Sequence, residues 1–254
     1  RFSPASVAES GGVAFADAEV FPGLASPSAT RVASETVTVR GTYATDPGRE
    51  FGDDWRLIQP TGYFAPAGEL VTISIPQENT DGGLVAWVGA HQSDLRYSGF
   101  DSFGRLPKVG TQFPLDSTSN VVANPFGGGI YIQTPDGANE GHVDVSISGA
   151  VASPLFSTTA TNPVGYQEWA QRVESADAPW GDIVSDRFMT SLPLKGLDYS
   201  KETLCTIPDE PPSWTSKSCG FTVQQGQEVT MEARLLDHFD EFSMDIGFPD
   251  GSTS

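Results

Sequence analysis

The sequence predicts a mainly β protein: an antiparallel β-sandwich with one short helix, an extended N-terminal arm and a small C-terminal β extension. Three observations carry that expectation. Short runs of β-branched and aromatic residues follow one another from Glu35 onward. Gly, Pro, Asn and Asp punctuate them, and helical periodicity is almost absent before residue 165. At 254 residues the chain is long enough for one large β domain or two small ones with a sizeable buried core.

Taken in order, residues 1–34 are rich in Ala, Ser, Gly and Pro with only scattered large apolar side chains, so they read as an arm or linker and not as a core element. Strand patterns then follow at Glu35–Tyr43 (ETVTVRGTY), Glu69–Pro76, Leu84–Ala90, Gly129–Thr134 and His142–Val151. Turn sequences such as NTDGG, NPFGGG and PDGANEG separate them. Tyr166–Ser175 is the helix candidate, because Trp169 and Val173 stand four apart on one face. Extended sequence returns up to Leu194, and Phe221–Phe248 offers two or three more strands. The expected domains are therefore an arm at 1–34, a sandwich with its connector at 35–200 and a stapled extension at 201–254. The staple is Cys205–Cys219, the only two cysteines, which bracket a proline-rich loop. A disulfide there would be worth about 3 kcal/mol in the chain-entropy model and would imply an oxidising compartment. Two free buried thiols are the alternative.

Charge and motifs exclude several functions. The 33 acidic against 14 basic residues give a net charge of −19, which repels phosphate backbones and anionic lipid headgroups. Nucleic acid and membrane insertion are not expected, and no apolar run approaches the roughly 20 residues that span a bilayer. The chain starts at Arg1 with no initiator Met or leader, as a processed product would. There is no G-x-S-x-G elbow and no H-E-x-x-H helix, and His91, His142 and His238 are the only histidines, so neither a hydrolase triad nor a zinc site is supported within this chain. Asp and Glu are plentiful enough for a glycosidase pair, but abundance defines no geometry. No cofactor is expected. Calcium is the one ion with clustered hard oxygen donors, at Gly52–Asp54 and Asp237–Asp245, although no D-x-D-x-D-G loop is present and solvated acidic loops explain both stretches.

The middle of the chain is more specific. The segments LIQPTGYFAPAGELVTISIP (57–76), VGAHQSDL (88–95), FPLDSTSNVVANPFGGGIYI (113–132), ISGAVASPLF (147–156) and EWAQRVESADAPWGDIVSDRFMTSLP (168–193) occur in an order and spacing that resembles the β-rich N-terminal part of the enhancin-like, mucin-directed zinc metallopeptidases. The resemblance covers roughly residues 55–195. It implies a β-sandwich scaffold and an extracellular or cell-surface setting among glycoproteins. In that family a helical catalytic subdomain with H-E-x-x-H follows, whereas this chain continues with the cysteine-bracketed loop, so no catalytic residue carries over.

In that setting ANPFGGGIYI is expected to be a tight turn. Asn124 and Pro125 would start the reversal, and Gly127, Gly128 and Gly129 would supply backbone angles and close approach denied to other residues. The other reading is a ligand site at one end of the sandwich, built from Tyr63, Phe64, His91, Asp94 and Tyr131, where aromatic faces beside polar groups suit sugar stacking. Trp55, Trp87, Trp169 and Trp180 are expected in the core. Three functions follow from different classes: a secreted or surface assembly subunit whose arm reaches other protein subunits (self or hetero), a module binding surface glycans or glycoproteins, and the front part of a peptidase whose catalytic region lies outside these residues.

Overall fold

A computed structural model describes residues 12–44, 56–92, 94–97, 105–185, 189–194, 229–235 and 240–246. The chain divides into two compact units, Arg1–Leu192 and Pro193–Ser254.

In the first unit the strands are β1 (Glu35–Thr42), β2 (Arg56–Ala65), β3 (Val71–Ser74), β4 (Val85–Val88), β5 (Thr111–Pro114), β6 (Ser119–Val122), β7 (Gly128–Pro135), β8 (Asn139–Ser148), β9 (Val151–Ala152) and β10 (Leu155–Ser157), followed by helix α1 (Tyr166–Glu174), β11 (Trp180–Val184) and β12 (Met189–Pro193). Two sheets, ordered β1-β8-β3-β6 and β5-β4-β7-β2-β9, are antiparallel throughout. They close on one core. Val37, Val39, Ile73, Val145 and Ile147 from the first sheet meet Ala86, Val88, Ile130 and Ile132 from the second. Period-two alternation explains why: in β8, Val143, Val145 and Ile147 turn inward while His142 and Asp144 face solvent. The central strand β7 is instead buried on both faces from Gly128 to Ile132.

A third sheet, β10-β11-β12, adds a parallel pair in which Leu155 is opposite Asp182. Helix α1 makes the crossover between β10 and β11 that a parallel pair requires. Its Trp169 meets Phe156 edge-on, with ring centroids 6.3 Å apart.

The arm departs from expectation. Residues 12–34 are irregular apart from a short 3-10 turn at Ala16–Glu19, yet they are packed onto the sandwich and contribute to its core. Ala18 is fully buried against Val109 and Phe126, and Ala25 and Ala29 sit with Phe64, Val151 and Ala178. The backbone N–H groups of Phe15, Ser26 and Val32 donate to the carbonyls of Pro125, Asp177 and Ala150 at 3.0, 2.8 and 2.8 Å. Arg31 clasps the Glu69 carboxylate through Nε and Nη2 at 3.0 and 2.6 Å. Small side chains let the backbone approach closely, so this segment docks without the large apolar residues that normally signal a core element.

The second unit contains a hairpin of β13 (Val229–Leu235) and β14 (Asp240–Ile246), paired from Val229↔Ile246 to Leu235↔Asp240. Cys205, Cys219, Trp55 and the acidic stretch Gly52–Asp54 lie outside the described residues, as does part of Asp237–Asp245. No helix among the described residues is long and apolar enough to cross a membrane.

Candidate functional site

The candidate residues are distributed by an irregularity in β2. Pro60 pairs with Tyr131 and Phe64 with Gly129, so Thr61, Gly62 and Tyr63 stand opposite the single residue Ile130. Gly62 takes a φ of +77°, and Thr61 Oγ1 donates to the Ile130 carbonyl at 2.7 Å, filling the gap in the ladder. Beyond this bulge Tyr63 and Phe64 line different depressions.

Phe64, His91, Tyr131 and the three glycines surround the first, together with Pro22, Trp180 and Ser191. It is almost filled. Phe64 and Tyr131 are each 1% exposed, and the remaining cavity measures about 10 Å³, room for about one water molecule. Phe21, His91 and Trp180 stack edge to face with centroids 4.8, 5.1 and 5.9 Å apart, and Trp180 Nε1 donates to the Pro22 carbonyl at 2.6 Å. Burial and the nearby Arg105 charge hold the His91 imidazolium below its ordinary range. At the base, the Tyr131 hydroxyl donates to Asp182 Oδ1 at 2.9 Å and lies 3.2 Å from Ser191 Oγ. Burial pushes the Asp182 carboxyl up to about 6, even though Tyr131 and Ser191 hydrogen-bond to it. Burial, with Asp182 beside it, likewise raises Tyr131 well above the ordinary phenol range.

The glycine turn closes the same end. Asn124 is fully buried, its Nδ2 lying 3.0, 2.8 and 3.0 Å from the carbonyls of Val88, Val109 and Gly127, while its Oδ1 accepts from Phe126 N–H at 3.1 Å. Gly128 has a φ of +140°, and a Cβ there would stand 2.5 Å from Gly89 Cα. The Asn124 carboxamide is thus engaged in backbone bonding within the turn and to its neighbours.

Asp94 stands apart from both depressions. It is held by Arg96, whose Nη2 is 2.5 Å from Oδ2 and whose Nε is 2.9 Å from Oδ1, and that guanidinium draws the Asp94 carboxyl down to about 2. Of the five candidate ligand residues, the fold thus assembles Phe64, His91 and Tyr131, and separates Tyr63 and Asp94 from them.

The second depression is an open groove of about 580 Å³, within the size range of small-molecule sites. Its rim carries Glu35, Tyr63, Asn162, Arg172 and Asp177, and Val151 and Leu155 line it as well. Burial and the Glu35 charge raise the Tyr63 hydroxyl, while Arg172 lowers it. Carboxylates, a guanidinium, a carboxamide and the Tyr63 phenol thus line one groove, a set that hydrogen-bonds hydroxyls and amides. Among the described residues no three of His, Cys, Asp or Glu are grouped to hold a metal ion. Glu35, Asn162, Arg172 and Asp177 belong to no ligand-binding motif in the sequence, because they come from β1, the β10–α1 connection, the helix and its exit.

Residues 30–148 match the family model described as the N-terminal domain of M60-like peptidases. The match takes in 119 of the 254 residues. The chain also aligns with vertebrate proteins. It is 31% identical over 137 residues to TRPM8 channel-associated factor 3 of Rattus norvegicus, covering 54% of this chain and 14% of that protein. It is 29% identical over 142 residues to TRPM8 channel-associated factor 2 of Homo sapiens, covering 56% and 15%. Among solved structures, IMPa from Pseudomonas aeruginosa in complex with an O-glycopeptide shares the fold at a TM-score of 0.50 and 18% identity, covering 68% of this chain and 20% of that one. The match thus spans about a seventh of each of these two curated relatives.

Proposed function

We propose that this M60-like N-terminal domain is a non-catalytic recognition module that holds glycosylated polypeptide outside the cell. The groove beside Tyr63 carries the reading: it is large enough for sugar rings and lined by hydrogen-bond donors and acceptors together with the Tyr63 ring. The IMPa structure with its O-glycopeptide supports the choice of ligand class, and kinship with M60-like peptidases supports the extracellular setting. Catalysis, where a larger protein contains this domain, would reside in another region, since the sequence has no H-E-x-x-H. An assembly role through the arm has less support, because residues 12–34 are occupied by their own sandwich.

The test is a calorimetric titration of the full chain with a synthetic peptide carrying one O-glycosylated threonine. Binding is expected, and Tyr63→Ala should weaken it about tenfold, on the order of one stacked ring pair. Absence of binding, or binding indifferent to Tyr63, would sink the proposal.

A further inference from the structure

The groove is bordered by a strand edge. In the sheet order β1-β8-β3-β6, β1 is terminal and pairs only with β8 among the described residues. Antiparallel ladders direct backbone groups alternately to the two sides, with residues two apart sharing a side. At Arg40 the outer side is occupied: its N–H donates to Gln59 Oε1 at 2.8 Å, and its carbonyl accepts from Gln59 Nε2 at 2.9 Å and Thr134 Oγ1 at 2.7 Å. The Gln59 carboxamide thus imitates one rung of a missing strand. By the same alternation Thr38 and Thr36 direct their N–H and C=O groups outward, and among the described residues neither has a backbone partner on that side. Their side chains are already bonded within the sheet, Thr36 Oγ1 to Ser146 Oγ at 3.1 Å and Thr38 Oγ1 to Asp144 Oδ1 at 2.6 Å. Glu35, Thr36 and Val37 also line the groove. An open edge of this kind is a template for another strand.

We infer that the outer edge of β1 takes an extended peptide as an added strand, which pairs its backbone with Thr36 and Thr38 and turns alternate side chains, with any sugar they carry, into the Tyr63 groove. The inference rests on the recognition reading and supplies its geometry: the backbone gives orientation and the groove reads the modified side chain. Gln59 fixes where the added strand stops, since the rung at Arg40 is taken. A second copy pairing β1 to β1 leaves the groove unfilled, so a peptide is the better occupant.

The experiment uses the full chain and four probes: a peptide with one O-glycosylated threonine, its unglycosylated twin, and two N-methylated glycopeptides that each block one alternate set of amides. One methylated set should lose about tenfold or more in affinity, as expected for removing a few backbone hydrogen bonds, and the other should lose less than about twofold. Amide exchange at Thr36 and Thr38 should slow on binding of the unmodified glycopeptide. Thr38→Pro should abolish that pattern, because proline removes the outward N–H at an edge position where the fold accepts it. Equal tolerance of both methylated sets with retained glycopeptide binding overturns the added strand and leaves recognition standing. Binding of the unglycosylated twin as tightly as the glycopeptide, with the alternating pattern, keeps the strand and overturns the glycan reading. A concentration-dependent dimer that protects Thr36 and Thr38 without peptide overturns the peptide as occupant.

Discussion

Tyr63 and Phe64 are neighbours in the chain and line different depressions. Phe64 closes a cleft with about 10 Å³ left in it, and Tyr63 lines a groove of about 580 Å³. Both depressions contain an aromatic ring beside a carboxylate, so residue type does not separate them; occupancy does. In the cleft the chain's own Phe21 and Pro22, Trp180 and the glycine turn have taken the space that a ligand would need. In the groove no described side chain has done so.

The comparison is broken most forcefully at Phe64. Truncating this 1% exposed ring to alanine should cost about 3–5 kcal/mol in denaturant unfolding. Under conditions where the variant stays folded, its affinity for the glycopeptide should be unchanged. A specific loss of binding would mean that the cleft, and not the groove, is the recognition site.

Asp182 sharpens the same contrast through pH. Its folded value of about 6 lies above its ordinary 3.8, so the charged form is the one that folding disfavours. The native state binds the extra proton between those values; the stabilising effect of Asp182 is therefore complete below about 4 and lost as pH rises through about 6. A shift of that size corresponds to about 3 kcal/mol at most. Asp182→Asn, which keeps an acceptor for Tyr131, should be more stable than the parent at pH 7.5, and the difference should vanish toward pH 4. Thermal melts of the two proteins across that range measure it. A constant difference would mean that the carboxyl stays charged and is compensated within the cleft.

Much of the scaffold was legible. The strands β1, β3 and β4, and helix α1, lie within segments whose alternation or four-residue spacing announces them, and β7 and β8 overlap theirs with shifted ends. Strand β2 is harder to see because Pro60 and Gly62 interrupt it; the interruption is a bulge, a feature of pairing that only the partner strand reveals. The arm escapes for a different reason: alanines pack as tightly as larger residues when the backbone comes close, but carry no periodic signal. As for the candidate site, aromatic and glycine-rich motifs drew attention to the cleft because they are needed to fill it. The bond between Tyr131 and Asp182 joins residues 51 apart in sequence, and nothing in the local pattern of either predicts it. The groove is less visible still, since Glu35, Asn162 and Arg172 are ordinary surface residues until β1, the β10–α1 connection and the helix bring them together.

Arg172 provides the finest discrimination because its structural and recognition roles differ in size. Its one described ion pair is with Glu168, four residues earlier on the exposed face of α1. Such pairs contribute a few tenths of a kcal/mol, so Arg172→Ala should leave unfolding nearly unchanged. The same guanidinium reaches the groove and is felt at the Tyr63 hydroxyl. Its removal should therefore weaken glycopeptide binding severalfold while stability stays within about 0.5 kcal/mol, the reverse of the pattern at Phe64. Calorimetric titration and urea unfolding of one preparation separate the two. If Arg172→Ala instead unfolded readily and bound normally, the groove rim would be part of the scaffold, and the distinction between filled cleft and open groove would have to be abandoned.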